Sequence, residues 1–279
     1  MKNAHNKVAE QSNAFSTGNG GGNFERNVQT MFLLALLVDG FSPVLETQVE
    51  RVEFQARHMG FAVDDLIVES SNKSKLLCQI KHSISITEND NIFQEVVNAA
   101  WHDFNSQQFN VLSDKIALIS SSVAKDSIQA LQYIHEHALV SLSADDFVDR
   151  INLKLFTNGK ARNKFDIIKG CLQKANHDQA VSNDNLWKFW KCFTLLVFDL
   201  DYRHSINRIL AQSLIHCKTD KDAKLVWSRL ADYCGNQNPN AASITRENIP
   251  TDILELFGLK TASAEMPITT ATFTPSTIW

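Results

Sequence analysis

The chain has 279 residues, of which 44% are hydrophobic and 21% are charged, and its formal net charge is −4. This composition is typical of an ordinary globular protein with one large domain or two modest ones. The charge gives no global sign of nucleic-acid binding, although a local groove or an oligomer can supply the necessary field. The longest apolar stretches, residues 31–38 and 193–200, are too short to span a bilayer. Five scattered cysteines without C-x-x-C spacing argue against a zinc site and favour a cytoplasmic location.

The chain begins with a polar segment, residues 1–22, that ends in a cluster of glycines. It has no apolar core of a signal peptide and no G-x-x-x-x-G-K-[ST] motif. We therefore expect a flexible segment with a hinge before the first helix. Asn23 predicts the cap of that helix, which begins near Phe24 and ends at Asp39-Gly40.

Residues 23–140 alternate between the periodicities of strands and helices. Short strands are predicted at residues 44–47, 51–55, 61–68 and 75–81. Residues 91–105 give the clearest helical pattern, because their apolar side chains recur every three or four positions. A buried strand at 115–120 and a helix at 127–138 follow. This order predicts a compact α/β core with a mixed sheet and at least one parallel crossover.

After residue 140 the sequence shows helical patterns and no convincing strand. We therefore expect an all-helical subdomain over residues 141–235. Within residues 236–279 we expect one last short helix between Thr245 and Leu256. Ser243, Thr245 and Pro250 are competing signals for its start. The Thr-, Ser- and Pro-rich end is typical of a linker or tail.

Two predicted strands carry polar residues whose spacing indicates a site. Asp65 opens one apolar strand, and Gln79-Ile80-Lys81 ends the next. Since side chains alternate faces along a strand, Gln79 and Lys81 point the same way while Ile80 points into the core. If the two strands are neighbours, a carboxylate, an amide oxygen and an ammonium converge. That set of groups can hold a hard metal ion against a phosphodiester.

Each of these residues has an ordinary explanation when it is taken singly. Glu25 in the first helical turn is favoured by the helix dipole. Asp64 and Asp65 are a pair of acids of the kind found in turns, and Lys81 is typical of a solvated strand edge. Their combination in this order is more specific than any one of them. A separation above about 8 Å between the Asp65 carboxyl and the Lys81 amine would exclude a common Mg²⁺ shell.

The segments Gly-Gly-Asn-Phe-Glu, Asp-Asp-Leu-Ile-Val and Gln-Ile-Lys-His-Ser together resemble the restriction-endonuclease-like PD-(D/E)XK family in its Q-X-K variant. With the trailing Asn-Ala-Ala-Trp-His-Asp-Phe helix, the chain resembles more closely the double-stranded DNA endonuclease domains at the N-terminus of bacterial antiphage effectors. Those occur in cyclic-oligonucleotide (CBASS) effectors and in antiviral STAND NTPases. The resemblance covers roughly residues 20–140, and the helical part matches only loosely.

The resemblance implies a role for each matching residue. Asp65 is the metal-binding aspartate, Gln79 stands where most relatives have Glu, and Lys81 is the catalytic lysine. Glu25 matches the helical acid that completes the metal shell, and Asp64 is a less certain second acid. The metal would be bound by the following set: Asp65, Gln79, the Ile80 carbonyl, Glu25 and Asp64. Weaker candidates for contacts to the DNA backbone are Lys73, Lys75, Ser83 and Ser85.

The expected function is a Mg²⁺-dependent endonuclease, with Mn²⁺ as a possible substitute, that cuts double-stranded DNA with little sequence preference. The resemblance implies activation by homo-oligomerisation through a sensor domain or subunit that is not visible in these 279 residues. The short apolar stretches predict no membrane association. Gln79 keeps open the alternative of a catalytically silent DNA-binding or assembly module. A small-molecule-binding or structural α/β protein, in which the site residues coincide by chance, is a further alternative.

Overall fold

The computed structural model describes residues 19–153, 159–201 and 204–259. Within them the chain forms one mixed six-stranded sheet with helices against it. The strands are β1 (Val49–Phe54), β2 (Leu66–Ser70), β3 (Lys75–Ser83), β4 (Lys115–Ser122), β5 (Phe193–Val197) and β6 (Ser243–Ile244). The helices are α1 (Asn19–Leu37), α2 (Asn91–Phe104), α3 (Lys125–Val140), α4 (Ala144–Asn152), α5 (Lys160–Ala175), α6 (Asn183–Cys192), α7 (Ile206–Lys218), α8 (Ala223–Gln237) and α9 (Thr251–Leu254). The predicted α/β class is confirmed.

The order of strands in the sheet is β5-β4-β3-β2-β1-β6. Strands β1, β2 and β3 form an antiparallel meander, whereas β4 and β5 run parallel to β3. The α2 helix makes the predicted crossover between β3 and β4. In the β2–β3 register Leu66 lies opposite Cys78. The next pair along the ladder therefore sets Asp65 opposite Gln79.

The sheet separates two apolar clusters. One contains Leu76, Cys78 and Ile80 together with the buried face of α1. The other contains Leu77 together with the buried face of α2. Because side chains alternate along β3, Gln79 and Lys81 lie on the α2 side, and the predicted direction of Ile80 into the core is confirmed.

The first helix begins earlier than the sequence predicts. Residues 19–22, expected to be flexible, are the first turn of α1, and Asn23 lies inside the helix instead of capping it. A glycine in a helix costs roughly 1 kcal/mol relative to alanine but does not forbid the helix. Burial of Phe24 and Val28 downstream offsets this cost. Residues 1–18 of the predicted flexible segment and the tail at 260–279 lie outside the described residues.

Two predicted strands are wrong at identifiable positions. Residues 44–47 lie in a turn and a bend outside any strand, and Val44 adopts φ 63°, a left-handed conformation far from that of a strand. Residues 61–65 also lie outside any strand. The backbone N–H groups of Ala62 and Val63 donate to the carboxylate of Asp103 and not to a neighbouring strand. The strand begins only at Leu66.

The expectation of an all-helical region over residues 141–235 is also wrong. The α6 helix ends at Cys192, and residues 193–197 form β5, parallel to β4. Both faces of β5 are covered, since Phe193 and Leu195 lie in one apolar cluster and Leu196 packs against the other. A short apolar run of this kind cannot be assigned to helix or strand by periodicity. Farther on, residues 243 and 244 form β6 on the outer edge of β1, before α9.

Among the described residues, no helix combines the length and the apolar character needed to cross a bilayer.

Candidate functional site

A cleft of about 450 Å³ lies where β1 and β3 end and β2 begins, against one side of α2. It is lined by Gln55, Arg57, Ala62, Asp64, Asp65, Gln79, Lys81, Glu95, Val96 and Ala99. Three carboxylates and two cations are among these side chains. The cleft therefore combines the predicted Asp65, Gln79 and Lys81 with residues from the preceding loop and from α2.

Asp65 lies at the centre of the predicted group. One of its carboxylate oxygens, Oδ2, accepts hydrogen bonds from the Gln79 amide and, at 2.7 Å, from the backbone N–H of Ile80. The ammonium of Lys81 lies 3.6 Å from the same oxygen. This distance is well within the limit for a shared Mg²⁺ shell, so the predicted proximity is confirmed. The roles assigned to these residues stay predictions.

The Asp65 carboxyl is held in a partly dehydrated position, with 16% of its side chain exposed. Burial is the main cause that raises its pKa above the ordinary value. The nearby Lys81 and the hydrogen bonds from Ile80 and Gln79 lower the pKa, but they do not cancel the effect of burial. The charged form of Asp65 is therefore short of compensating positive charge.

Glu25 projects from the first turns of α1 toward the same end of the sheet. Its Oε1 accepts hydrogen bonds from the side-chain amides of Gln29 at 3.1 Å, Gln55 at 3.2 Å and Asn238 at 3.0 Å. Burial raises the pKa of Glu25, and repulsion from Asp65 raises it further. Glu25 and Asp65 therefore influence each other electrostatically, and the part of Glu25 in a metal shell stays a prediction.

Asp64 is adjacent to this group but is already paired. Its Oδ2 lies 2.8 Å from Nε of Arg57, and the residue is 8% exposed. Its charge still acts on Asp65, whose pKa it raises. The ion pair with Arg57 makes Asp64 a weaker candidate for a metal ligand than Asp65, in agreement with its secondary place in the sequence interpretation.

The structure does not bring the predicted DNA-binding lysines to the cleft. Lys73 lies in the turn between β2 and β3, and its ammonium is 2.7 Å from Glu50 and 3.3 Å from Glu69. Lys75 is four residues before Gln79 on β3, or about 13 Å away along an extended strand.

The two predicted serines lie on the other side of Lys81. Ser83 ends β3 and Ser85 follows it, and both are exposed. They remain near the cleft end of β3, where a DNA backbone could be contacted.

Glu95 and Asp103, both on α2, have positions in the site that the sequence pattern did not reveal. Glu95 is exposed and lines the wall of the cleft opposite the strands. A glutamate on the solvated face of an amphipathic helix carries no distinguishing signal. Asp103 is fully buried and accepts hydrogen bonds from the N–H groups of Ala62 and Val63. It fixes the loop that leads directly into Asp64-Asp65.

The donor set fits a hard divalent cation. Carboxylate and amide oxygens are the groups that Mg²⁺ prefers, and the excess of buried negative charge is the kind that a cation relieves. Within the described ranges, however, no group of three or more His, Cys, Asp or Glu side chains is arranged to hold a metal. A metal shell here needs the Gln79 amide in addition to the acids.

Comparison of the chain with models of known protein families, with curated proteins and with solved structures found no match. Any functional conclusion therefore depends on the geometry of the cleft and on the motif resemblance.

Proposed function

We propose that this chain is a Mg²⁺-dependent endonuclease that hydrolyses phosphodiester bonds of double-stranded DNA. The observation that carries the proposal is the convergence of Asp65, Gln79 and Lys81 at one end of adjacent strands, with the Lys81 ammonium 3.6 Å from the Asp65 carboxylate. An acid, an amide and a lysine in one cleft can together bind a cation and a phosphate.

The fold supports the same proposal. A helix, an antiparallel meander of three strands, a crossover helix and a parallel strand follow one another in α1, β1, β2, β3, α2 and β4. This order agrees with the core expected from the resemblance to the PD-(D/E)XK family. The helices and strands after residue 140 are additions to that core.

Asp65, Glu25, the Gln79 amide oxygen and the Ile80 carbonyl would hold Mg²⁺, for which Mn²⁺ can substitute. A bound divalent ion supplies Lewis-acid polarisation of the phosphate and lowers the pKa of a water molecule. The Gln79 amide donates to Asp65 in the metal-free arrangement. Since the nitrogen and oxygen of an amide exchange places by a half-turn, the same side chain can present its oxygen instead.

The remaining cleft residues have separate roles. Lys81 neutralises charge that develops on the phosphate, a contact of a kind typically worth roughly 3–4 kcal/mol. Gln79 carries no charge, whereas most relatives have a glutamate at this position. Glu95, on the opposite wall of the cleft, supplies a negative charge in its place. Arg57 holds Asp64 and offers its guanidinium at the rim of the cleft, where a phosphate of the DNA backbone can be bound.

The wider biological role rests on the motif resemblance. It implies an antiphage effector that cuts with little sequence preference and becomes active when a sensor domain or subunit assembles the nuclease into a homo-oligomer. Two protomers can then each cut one strand.

The test is plasmid cleavage by the purified chain in Mg²⁺, in Mn²⁺ and in EDTA, at low and high protein concentration. We expect cleavage with either metal and none in EDTA, with a specific rate that rises with protein concentration. Intact plasmid under every metal condition, at concentrations where the chain is assembled, would refute the nuclease.

One observation favours a second candidate, a catalytically silent module that binds DNA through the same cleft. The Gln79 amide is hydrogen-bonded to Asp65, and no three His, Cys, Asp or Glu side chains of the described residues are arranged to hold a metal. Binding of duplex DNA that is equally tight in Mg²⁺ and EDTA, without cleavage, would favour this candidate.

A further inference from the structure

Gln55 has an unusual backbone at the border of the cleft. It follows β1 and adopts φ 49° and ψ 56°, the left-handed region that glycine occupies without strain and that other residues avoid. A turn that needed only this backbone shape would be served better by glycine. A side chain kept in a strained conformation next to a candidate site suggests a function for that side chain.

The contacts of Gln55 connect the two buried acids. Its backbone N–H donates to the backbone carbonyl of Asp65 at 3.4 Å. Its side-chain Nε2 lies 3.2 Å from Oε1 of Glu25 and 3.2 Å from Oδ1 of Asn238. One residue therefore touches the segment of one acid through its main chain and the carboxylate of the other through its amide.

Asn238 completes this arrangement from a distant part of the chain. It follows α8, beyond the predicted nuclease core, and its Nδ2 donates to Oε1 of Glu25 at 3.0 Å. Gln29 donates to the same oxygen and also to Asn238. Three neutral amides thus fix a single carboxylate oxygen, and they add no charge that would compete with a cation.

We propose that Gln55, together with Asn238, is a positioning residue that holds Glu25 at a fixed separation from Asp65, so that both carboxylates serve one divalent cation. This inference rests on the proposed metal-dependent nuclease. It also makes the segment after α8 a necessary part of the site, because Asn238 supplies one of the amides.

The main competing explanation is that Gln55 only forms a turn, and a pair of variants separates the two. Gln55→Gly removes the side chain and permits the left-handed backbone without strain. The matched control is Ala241→Gly, because Ala241 has nearly the same backbone, φ 48° and ψ 50°, and only a methyl group to lose. The pair therefore distinguishes relief of backbone strain from loss of the amide.

The experiment measures Mn²⁺ binding to the full chain by electron paramagnetic resonance, without DNA, and the unfolding temperature in EDTA. We expect Gln55→Gly to bind Mn²⁺ at least about fivefold more weakly than the parent chain, since an acid that is no longer held loses preorganisation. Ala241→Gly should bind it as the parent does. Both variants should remain folded at the temperature of the binding measurement. Weaker Mn²⁺ binding by Gln55→Gly then does not result from unfolding.

A second pair of variants contains no introduced glycine and therefore excludes an effect of glycine flexibility on Mn²⁺ binding. Asn238→Ala removes one amide from Glu25, whereas Asn240→Ala removes a side chain that donates to the Asn236 carbonyl. We expect the first to weaken Mn²⁺ binding and the second to leave it unchanged. Parent-like binding by both Gln55→Gly and Asn238→Ala overturns the inference alone. Absence of Mn²⁺ binding by the parent chain overturns the metal site, and the inference with it.

Discussion

The two ends of the β2–β3 hairpin carry similar charged groups in opposite surroundings. At the turn, the Lys73 ammonium contacts both Glu50 and Glu69, and it is 64% exposed. At the cleft, Asp65 is 16% exposed and its nearest cation, Lys81, lies 3.6 Å away. The pKa of Lys73 is raised by its hydrogen bonds to the two glutamates, whereas the pKa of Asp65 is raised by burial.

This difference separates charges that serve solubility from charges that indicate a site. An exposed, balanced ion pair contributes little to stability, about 0–1 kcal/mol, and is compatible with any function. Buried acids without full compensation reduce stability in the absence of a ligand, and such groups concentrate at functional sites. Residue types alone do not make this distinction, because both ends of the hairpin contain acids beside a lysine.

The strongest test of this difference between the two ends of the hairpin is to replace the lysine at each end with alanine. We expect Lys81→Ala to lower the rate of plasmid cleavage by about 10²–10³-fold while DNA binding and the fold are retained, because the lost contact acts on charge that develops during the reaction. Lys73→Ala should change the rate by no more than about twofold, since its ammonium is solvated and occupied by Glu50 and Glu69. Cleavage rates in Mg²⁺ and DNA affinity in EDTA measure both effects.

Equal loss of activity in the two variants would contradict the distinction between the two ends. It would indicate that both lysines act through general attraction of DNA. A change of the salt dependence of DNA binding in Lys73→Ala would give the same indication independently.

The sequence predicted well what depends on local periodicity. The α2 helix and the strands β3 and β4 were placed within two residues of their observed bounds, because each has a strong apolar pattern. The position of Ile80 in the core, with Gln79 and Lys81 on the other face, followed from alternation alone. The strand β5 was missed because both of its faces pack against apolar clusters, and this removes the alternation by which a strand is recognised.

Site residues were predictable from the sequence only where they lie on or next to strands with a clear apolar pattern. Asp65, Gln79 and Lys81 were identified from spacing, and the distance between the outer two confirms their proximity. Gln55 and Asn238 were not identified, because their contacts with Glu25 join parts of the chain 30 and 213 residues apart. No local pattern encodes contacts of this kind.

A second comparison concerns two buried aspartates, Asp103 and Asp114, which lie near opposite ends of the β2–β3 hairpin. Asp103 accepts from the N–H groups that precede the cleft acids, and Asp114 accepts from Lys75 and Asn110 near the turn end of β3. Each aspartate is buried and accepts from two backbone N–H groups, so that its replacement with alanine removes these bonds, and we expect a loss of roughly 2–4 kcal/mol in the free energy of unfolding. Urea denaturation measures this loss.

The two variants should differ in activity although they are similar in stability. At a temperature where both are folded, Asp103→Ala should lower cleavage about tenfold, because the loop before Asp65 is released. Asp114→Ala should cleave at nearly the parent rate. A parent rate in Asp103→Ala would show that the loop keeps its position without this carboxylate.

The smallest expected effect concerns Asp65 and Glu69, the carboxylates at opposite ends of β2. Here the direction of the change in unfolding temperature distinguishes the two residues. Burial raises the pKa of Asp65 above its ordinary value of 3.8. The folded protein therefore binds a proton more tightly than the unfolded chain, and stability falls as pH rises through the range just above 3.8. The cost is fully present at neutral pH. Asp65→Asn removes it and keeps an oxygen that accepts from Ile80.

At neutral pH in EDTA, Asp65→Asn should raise the midpoint of thermal unfolding by about 2 °C, the shift that roughly 1 kcal/mol produces in a chain of this size. Glu69→Gln should lower the midpoint slightly, because it weakens the contact with Lys73. Below the ordinary value of 3.8 the gain of Asp65→Asn should vanish, since the carboxyl is then protonated in both states. A lower midpoint for both variants at neutral pH would mean that Lys81 already compensates Asp65, and the cleft would then lack the excess negative charge that a divalent cation is proposed to relieve.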